Sequence, residues 1–336
     1  MISYASITGL SSKTYTGKVI TQTPVIELAG VTLISGTDYT VSYKNNTNAG
    51  TATVTFTGKG NYTGTASRTF TITRASQAIT AKAAASTVSV GKTTTVSITG
   101  AKGTKSYKSS NTGIATVNST TGKVTAKKVG TVTITATSAS TSNYKAASKT
   151  VTIKVVPAAT SSITAANQAT GIKLTWKKVT GATGYKVYRG STLIKTIKSG
   201  STVACTDTKA NTNGTKYTFK IVPTASTGNG TAKSLTTYRV ARPSVNSVKN
   251  SSSKKMTVKW AKNTKATGYQ IQYSTSKTFA NGNKTATVTK AATVSKVIGS
   301  LTKGKTYYVR IRTYKTVGSA KYWSTWSAAK SVKISK

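Results

Sequence analysis

The chain of 336 residues carries 49 lysines and arginines against three carboxylates, Glu27, Asp38 and Asp207, and it has no histidine, which gives a formal net charge of +46. General acid–base catalysis draws mainly on His, Asp and Glu, and metal sites need several such residues or cysteines close together. The composition therefore predicts a protein that is not an enzyme, with no catalytic residue, no metal site and no cofactor.

Three further features of the sequence limit the class of protein. Cys205 is the only cysteine, so the chain cannot form an internal disulfide. No stretch reaches the ~18 consecutive apolar residues of a transmembrane helix. No segment before residue 20 combines the charged start and apolar core of a secretory signal. We therefore expect no transmembrane segment in this chain.

The arrangement of apolar residues predicts the fold class. Hydrophobic residues make up 36% of the chain, below the ~45–50% of ordinary globular domains. They are mainly Val, Ile and Tyr in alternation with Thr and Ser, however, and this period of two is typical of half-buried strands. No stretch has helical periodicity. The sequence thus predicts an all-β protein of antiparallel strands joined by short turns.

The first segment, residues 13–72, runs from KTYTGKVITQTPVIEL to GTDYTVSYKNNTNAGTATVTFTGKGNYTGTASRTFTI. It resembles an Ig-like repeat of bacterial surface and adhesin proteins, and the resemblance implies a β-sandwich over residues 1–74. Asp38 lies in the sequence GTDY, a position where an aspartate commonly bonds nearby backbone amides. We interpret Asp38 as a turn residue and not as a general acid or base.

The second segment contains SSNTGIATVNSTTGKVTAKKVGTVTITATS at residues 109–138. Its last strand alternates Val132, Ile134 and Ala136 with threonines, a pattern that indicates one buried face. The segment resembles the bacterial Ig-like group 2 domain, a small sandwich of surface proteins. This resemblance implies a second domain over residues 75–157.

The rest of the chain contains an internal repeat. GIKLTWKKVTGATGYKVYRG at 171–190 aligns with MTVKWAKNTKATGYQIQYS at 256–274, and each copy places a Gly-Tyr pair at the same interval after a tryptophan. Further along, NGTKYTFKI at 213–221 aligns with KGKTYYVRI at 303–311. Repetition at this spacing predicts two copies of one domain, over residues 158–241 and 242–336.

Both copies resemble fibronectin type III domains, on the tryptophan of an early strand, the Gly-Tyr pair and the run from Leu301 to Tyr307. The resemblance implies that Tyr217 and Tyr307 are tyrosine-corner residues, whose hydroxyls hold a crossover loop. Asp207, in CTDTKANTNG, is interpreted as a turn residue like Asp38. The whole chain is thus expected to form four tandem antiparallel β-sandwich domains, Ig-like and fibronectin type III, in an elongated array.

The segment KYWSTWSAAK at 321–330 resembles the Trp-Ser-x-Trp-Ser motif found in some type III domains, where arginines of a neighbouring strand stack between the tryptophans. The residues concerned are Arg310, Arg312, Tyr322, Trp323 and Trp326, and alternation places both arginines on the outward face with Tyr308 and Tyr314. Two hypotheses follow. The rings and guanidinium groups form a cation–π ladder that stiffens the domain, or the aromatic residues form a platform that stacks on sugars or bases.

The charge suggests how the protein associates with other molecules. A polycation adsorbs to polyanions, and for a surface protein these include wall teichoic acid, acidic glycans and, without sequence specificity, nucleic acid. We interpret the chain as a monomeric fragment of a longer exported protein, at the cell surface or secreted. It would act as a stalk or adhesive array that associates with anionic polymers by diffuse electrostatics.

Two alternatives remain open from the sequence. The chain could be a virion-borne or engineered polycation that binds nucleic acid or mucin, since it starts at Met1 without a signal. It could also be an accessory carbohydrate-binding or spacer region of a larger secreted enzyme.

Overall fold

The computed structural model describes all residues from 1 to 336 and contains 31 strands. The only helical segment is a three-residue 3-10 turn, Ile2–Tyr4. Almost all strand pairs are antiparallel, so the all-β fold class predicted from the alternation is confirmed. The chain divides into two compact units, Met1–Val155 and Val156–Lys336.

The first unit is built from four sheets. Their strand orders are β1-β3-β4, β2-β7-β6-β5, β12-β13-β10-β8 and β11-β14-β15-β9, and the short β2 runs parallel to β7. The strands are β1 (Ser6–Thr8), β2 (Lys13–Thr14), β3 (Val25–Leu28), β4 (Val31–Thr32), β5 (Tyr39–Lys44), β6 (Gly50–Gly58), β7 (Thr65–Thr73), β8 (Thr80–Ala83), β9 (Thr87–Ser89), β10 (Thr93–Thr99), β11 (Lys105–Ser109), β12 (Ala115–Val117), β13 (Lys123–Ala126), β14 (Gly130–Ser138) and β15 (Ala147–Val156).

The second unit repeats one pair of sheets. The orders β16-β17-β20 and β19-β18-β21-β22, with β23 on β21, recur as β24-β25-β28 and β27-β26-β29-β30, with β31 on β29. The strands are β16 (Ile163–Asn167), β17 (Ile172–Trp176), β18 (Gly184–Arg189), β19 (Thr192–Ile197), β20 (Ala204–Asp207), β21 (Lys216–Ala225), β22 (Gly228–Asn229), β23 (Lys233–Tyr238), β24 (Val245–Ser252), β25 (Lys255–Trp260), β26 (Gly268–Ser274), β27 (Lys284–Val288), β28 (Ser295–Ile298), β29 (Thr306–Val317), β30 (Ala320–Trp323) and β31 (Lys330–Lys333).

The buried side chains form five separate clusters. Two clusters lie within residues 1–74, around Phe56 and around Phe70. A third surrounds Ile134 on β14, whose neighbours Val132 and Ala136 are also buried as the alternation predicts. The remaining two surround Trp176 and Trp260. Because no cluster crosses the boundaries expected from the sequence, we propose that the four predicted domains are the folding units.

The repeated Gly-Tyr pair has the same role in both copies. Tyr185 and Tyr269 are fully buried, each with its ring centroid 5.3 Å from that of the tryptophan on the neighbouring sheet. The Tyr185 hydroxyl accepts from Val179 N at 3.0 Å and donates to Gly200 O at 3.2 Å. The buried tyrosine thus ties two connecting loops to the core.

The glycine before each tyrosine is required by the neighbouring strand. A Cβ on Gly184 would overlap the carbonyl oxygen of Ile197, and one on Gly268 would overlap that of Val288. The Gly-Tyr pair is therefore explained by two requirements: the glycine lets the neighbouring strand approach the backbone closely, and the tyrosine places a ring in the core.

Both tyrosines expected at corners hold a loop. The Tyr217 hydroxyl accepts from Thr212 N at 3.3 Å, and the Tyr307 hydroxyl accepts from Thr302 N at 3.1 Å. Each bond reaches back five residues, which is the arrangement of a tyrosine corner.

Two of the three carboxylates have partners. Asp38 accepts from Ile34 N at 2.8 Å, in a turn as expected. Asp207 accepts from Lys209 N at 3.1 Å, but it also forms an ion pair with Arg189 at 2.7 Å and is buried. The turn interpretation of Asp207 was therefore incomplete, because the register that brings Arg189 beside it is not visible in the sequence.

Candidate functional site: an arginine–tryptophan ladder

The central strand of the last sheet, β29, carries Arg310 and Arg312 on the face that points away from the core. Ile311 lies between them on the opposite face and is fully buried. The neighbouring strand β26 presents Gln272 directly opposite Arg310 and Gln270 directly opposite Arg312. Opposite residues of an antiparallel pair share a face, so each arginine has an amide within reach.

Each arginine is held by the glutamine opposite it. Arg310 Nε donates to Gln272 Oε1 at 2.7 Å. Arg312 donates twice to Gln270 Oε1, from Nε at 2.9 Å and from Nη2 at 2.7 Å. Since the acceptors are amides and not carboxylates, these bonds fix the guanidinium planes without neutralising their charge.

The two guanidinium groups alternate with three aromatic rings. Arg310 Cζ lies 4.1 Å from the ring centroid of Phe279 and 4.9 Å from that of Trp326. Arg312 Cζ lies 4.4 Å from the ring centroid of Trp326 and 3.9 Å from that of Trp323. All four distances fall within the ~6 Å range of cation–π attraction. We call this set Phe279, Arg310, Trp326, Arg312 and Trp323 the ladder.

The serines of the motif fasten the tryptophan segment to β29. Ser324 N donates to Thr313 O at 2.9 Å, and Ser324 Oγ accepts from Thr313 N at 3.0 Å. Ser327 makes the same pair of bonds with Ile311, at 2.8 and 3.0 Å. Residues three apart in the motif therefore face residues two apart on β29, and each serine hydroxyl replaces the carbonyl that a regular strand would supply.

The ladder is tied to the preceding copy of the repeat. Asn167 Nδ2 donates to Trp323 O at 3.0 Å and to Tyr238 O at 3.1 Å. Thr313 Oγ1 donates to Ala241 O at 2.6 Å. The ring of Tyr322 lies 5.0 Å from that of Tyr238. These contacts form a junction inside the second unit, next to one end of the ladder.

Burial lowers the pKa of both ladder arginines. For Arg310 the cause is desolvation. For Arg312 desolvation is the larger cause, and the positive charge of Arg310 adds to it. The rings and glutamines thus hold two like charges together, a cost that the cation–π contacts and hydrogen bonds must offset.

The structure separates the residues that the sequence grouped together. Arg310, Arg312, Trp323 and Trp326 are brought into contact, whereas Tyr322 lies outside the ladder against Tyr238. Tyr314 shares the outward face, as alternation indicated, yet it is only 3% exposed. The ring of Trp323, with its centroid 5.1 Å away, packs against it.

Three contributors were not predicted. Phe279 lies in a loop with a positive φ of 58° and belongs to no alternating pattern. Gln270 and Gln272 show the period of an outward face, but the register of β26 against β29 depends on turns that the sequence does not specify. The sequence offered one signal for the two glutamines: they lie on the outward face of their strand, as the arginines do on theirs.

The ladder offers little free ring surface. Because β29 sets its arginines two residues apart, about 7 Å, Trp326 lies between two guanidinium groups that each contact it. No three of the chain's Cys, Asp or Glu side chains come together as metal ligands. The arrangement can stabilise the sheet, and it contains no nucleophile next to a base.

Comparison with known proteins identifies two kinds of domain in the chain. Residues 241–330, which include the whole ladder, match the fibronectin type III domain. Residues 89–140 match the immunoglobulin-like domain of intimin. The predicted resemblance to bacterial Ig-like and fibronectin type III domains is thereby confirmed. The intimin-type match lies in the segment that was expected to be an Ig-like group 2 domain.

A similar solved structure is the crystal structure of the chicken CNTN1 FN1-FN3 domains. It is 14% identical, its alignment covers 88% of this chain and 98% of that chain, and the TM-score is 0.35. No curated protein matches the chain in sequence. Helices with the length and apolar character needed to cross a membrane are absent from the structure.

Proposed function

We propose that the chain is a non-catalytic, strongly basic modular protein of the cell surface or of the secreted fraction, which acts as a stalk or adhesive array. It associates with anionic polymers such as wall teichoic acid or acidic glycans by diffuse electrostatics, and it does so as a monomer. The observation that carries this proposal is the lack of counter-charge. Of 49 cationic side chains, only Arg189 lies in an ion pair.

The domain types support the location and the lack of catalysis. The intimin description belongs to a bacterial Ig-like domain, and Ig-like and fibronectin type III domains are typically non-catalytic. Such folds host many roles, so the role must come from the surface they present. Here that surface carries a large excess of lysines and arginines over carboxylates.

The charge is distributed over both units. Lysines and arginines number 17 in Met1–Val155 and 32 in Val156–Lys336. Exposed charges are screened over about 8 Å at physiological salt, and each surface ion pair forgone is worth only ~0–1 kcal/mol. The fold therefore tolerates the excess, and the potential remains available to a polyanion. Like-charge repulsion also disfavours self-association.

The test is retention of the purified chain on teichoic acid, heparin, duplex DNA and a neutral glycan across a salt series. We expect retention on all three polyanions, lost in parallel as salt rises because counterions are released on binding. The neutral glycan should not retain the chain. Salt-resistant retention on a single polymer would contradict diffuse association and would indicate a specific site.

We further propose that the ladder is structural and not a ligand platform, because its rings already contact guanidinium groups. Trp323→Ala with Trp326→Ala should lower the melting temperature of the last domain and leave retention on the polyanions unchanged. Loss of retention with the melting temperature intact would support the platform instead.

A further inference from the structure

A groove runs along one open side of the third predicted domain. It lies between β19, the edge strand of one sheet, and β20, the edge strand of the facing sheet. Two cavities of about 540 and 270 Å³ follow this side, and both are lined by Lys195, Cys205 and Thr206. Because no further strand pairs with either edge, each presents backbone N–H and C=O groups that another strand could use.

Lys195 belongs to the inner side of its edge strand. It lies directly opposite Val187, a fully buried core residue. Cys205 on the other edge lies opposite Leu174, which is also fully buried. Opposite residues share a face of the sheet, so the lysine and the cysteine face each other across the groove between the sheets.

The ammonium group in this groove has no carboxylate partner. The one carboxylate nearby, Asp207, is engaged by Arg189 at 2.7 Å and by Lys209 N at 3.1 Å. The groove around Lys195 also includes the apolar side chains of Leu193 and Ile197. The groove thus combines an open strand edge, apolar surroundings and the unpaired positive charge of Lys195, and Lys198 and Lys209 also line the two cavities.

The charge of the groove decides which strand can occupy it. A second copy of this chain, with its net charge of +46, would bring mainly lysines to the edge, and like charges opposite one another are destabilising. Inward-pointing lysines on an edge strand also discourage neutral strands from pairing. An extended strand with a carboxylate among apolar residues complements both the backbone edge and the lysine.

We propose that the β19 edge is a docking site for an extended acidic peptide, which adds as a strand and places one Asp or Glu side chain against Lys195. The peptide carries apolar residues two positions to either side of the acid, because these share its face. Main-chain hydrogen bonds to β19 supply affinity, and the carboxylate selects the register.

The probe is the peptide acetyl-Thr-Val-Thr-Glu-Thr-Val-Thr-amide, titrated into the full chain. In the wild-type protein we expect slower hydrogen exchange at Thr192–Ile197 of β19 and slower alkylation of Cys205, the only thiol. Lys195→Glu should weaken binding at least roughly tenfold, since it replaces an attractive charge pair with a repulsive one.

Lys284→Glu is the matched control. Lys284 begins β27, the edge strand that corresponds to β19 in the second copy, and the substitution changes the net charge by the same amount. It should change the affinity by less than about twofold, because only screened charges at a distance are altered. A peptide with Gln in place of Glu should bind the wild type more weakly than the original peptide does, but less weakly than the original peptide binds Lys195→Glu, because Gln removes the attraction without adding a repulsion.

Equal weakening by both substitutions would show that only the net charge matters and would overturn the proposal. The proposal would also be overturned if the peptide slowed hydrogen exchange over the whole chain and not mainly at Thr192–Ile197. The same holds if heparin, but not the peptide, slowed exchange at Thr192–Ile197. The hydrogen-exchange measurement uses the wild-type protein, so it remains decisive even where Lys195→Glu reduces folding.

Discussion

The hydroxyl groups of Tyr185 and Tyr269 each connect two backbone groups that are distant in sequence. The Tyr269 hydroxyl accepts from Asn263 N at 2.7 Å and donates to Ala291 O at 3.0 Å. Both bonds lie inside the domain. A buried donor or acceptor that loses its partner there destabilises the fold, because water does not reach it to replace the hydrogen bond. A single oxygen atom therefore fixes two loops at the same end of the sandwich, the one that precedes β26 and the one that follows β27.

Replacing Tyr269 with phenylalanine should lower the free energy of unfolding of the last domain by about 1–3 kcal/mol, because a buried amide and a carbonyl lose their partner. Chemical denaturation of the full chain measures the effect. Tyr308→Phe is the control, since that hydroxyl lies on the outward face of β29 and makes no hydrogen bond; it should change stability by less than about 0.5 kcal/mol. Equal effects would contradict the role assigned to the buried hydroxyl.

Arg312 is the residue of the ladder with the most contacts, because it stacks against two tryptophans and donates twice to Gln270. Arg312→Lys keeps the charge but loses the planar group that makes all four contacts, and should cost about 1–2 kcal/mol in unfolding free energy. The comparison is Lys220→Met in the preceding copy, where the cation contacts a single ring, Tyr188. A loss at Arg312 no larger than at Lys220 would contradict the ladder geometry.

At the level of secondary-structure elements, the Trp-Ser-x-Trp-Ser segment replaces part of a strand. The residues from Ser324 to Ala329 form no strand, yet two of them bond to β29 through backbone and side chain together. The preceding copy instead pairs a regular strand, β23, with β21 over six residues. The corresponding strands β21 and β29 therefore have different neighbours in the two copies: a regular strand in the first and an irregular segment in the second. Only the copy with the irregular segment contains the ladder.

Ser324→Ala and Ser327→Ala should each destabilise the last domain by about 1–3 kcal/mol, since each leaves a buried backbone N–H of β29 without an acceptor. Hydrogen exchange at Thr313 and at Ile311, measured separately in the two variants, locates the effect. Each variant should accelerate exchange mainly at its own partner. Thr325→Ala is a useful control, because the Thr325 hydroxyl is buried without a hydrogen-bond partner. Destabilisation by Thr325→Ala as large as that of the serine variants would argue against this interpretation.

The alternating strands were accessible from the sequence, whereas the contacts between distant strands were not. Val132, Ile134 and Ala136 show their buried face directly, because side chains of a strand alternate between its two faces. Phe279 belongs to no alternating pattern, and its position beside Arg310 depends on the path of a loop. The same holds for Arg189 and Asp207, which meet across two sheets whose packing no local pattern describes.

At the level of the whole molecule, the charge is the dominant property. With one ion pair in the structure, most cations repel each other across the surface, and this repulsion is greater in the compact state than in the unfolded chain. The absence of histidine has a related effect, because no side chain of ordinary pKa titrates between about pH 5 and 8. The potential around the protein should therefore be nearly constant over that range.

Added salt should raise the melting temperature when the starting ionic strength is low, because screening weakens repulsion more than it weakens the single ion pair. Thermal unfolding followed by circular dichroism in about 10 to 200 mM sodium chloride measures this, a range over which the screening length falls from roughly 30 to below 10 Å. Sodium chloride suits the test because multivalent anions would bind the lysines directly. A melting temperature that stays flat or falls with salt would contradict the prediction.

All four tryptophans lie in Val156–Lys336, two in the domain cores and two in the ladder. Indole emission therefore reports on that unit alone, while the first unit can be followed only through its tyrosines. Trp176 and Trp260 are buried, whereas Trp323 and Trp326 are only partly buried against guanidinium groups. A water-soluble quencher should therefore reach the second pair first. A single spectroscopic titration can thus distinguish loosening of the ladder from melting of the interior.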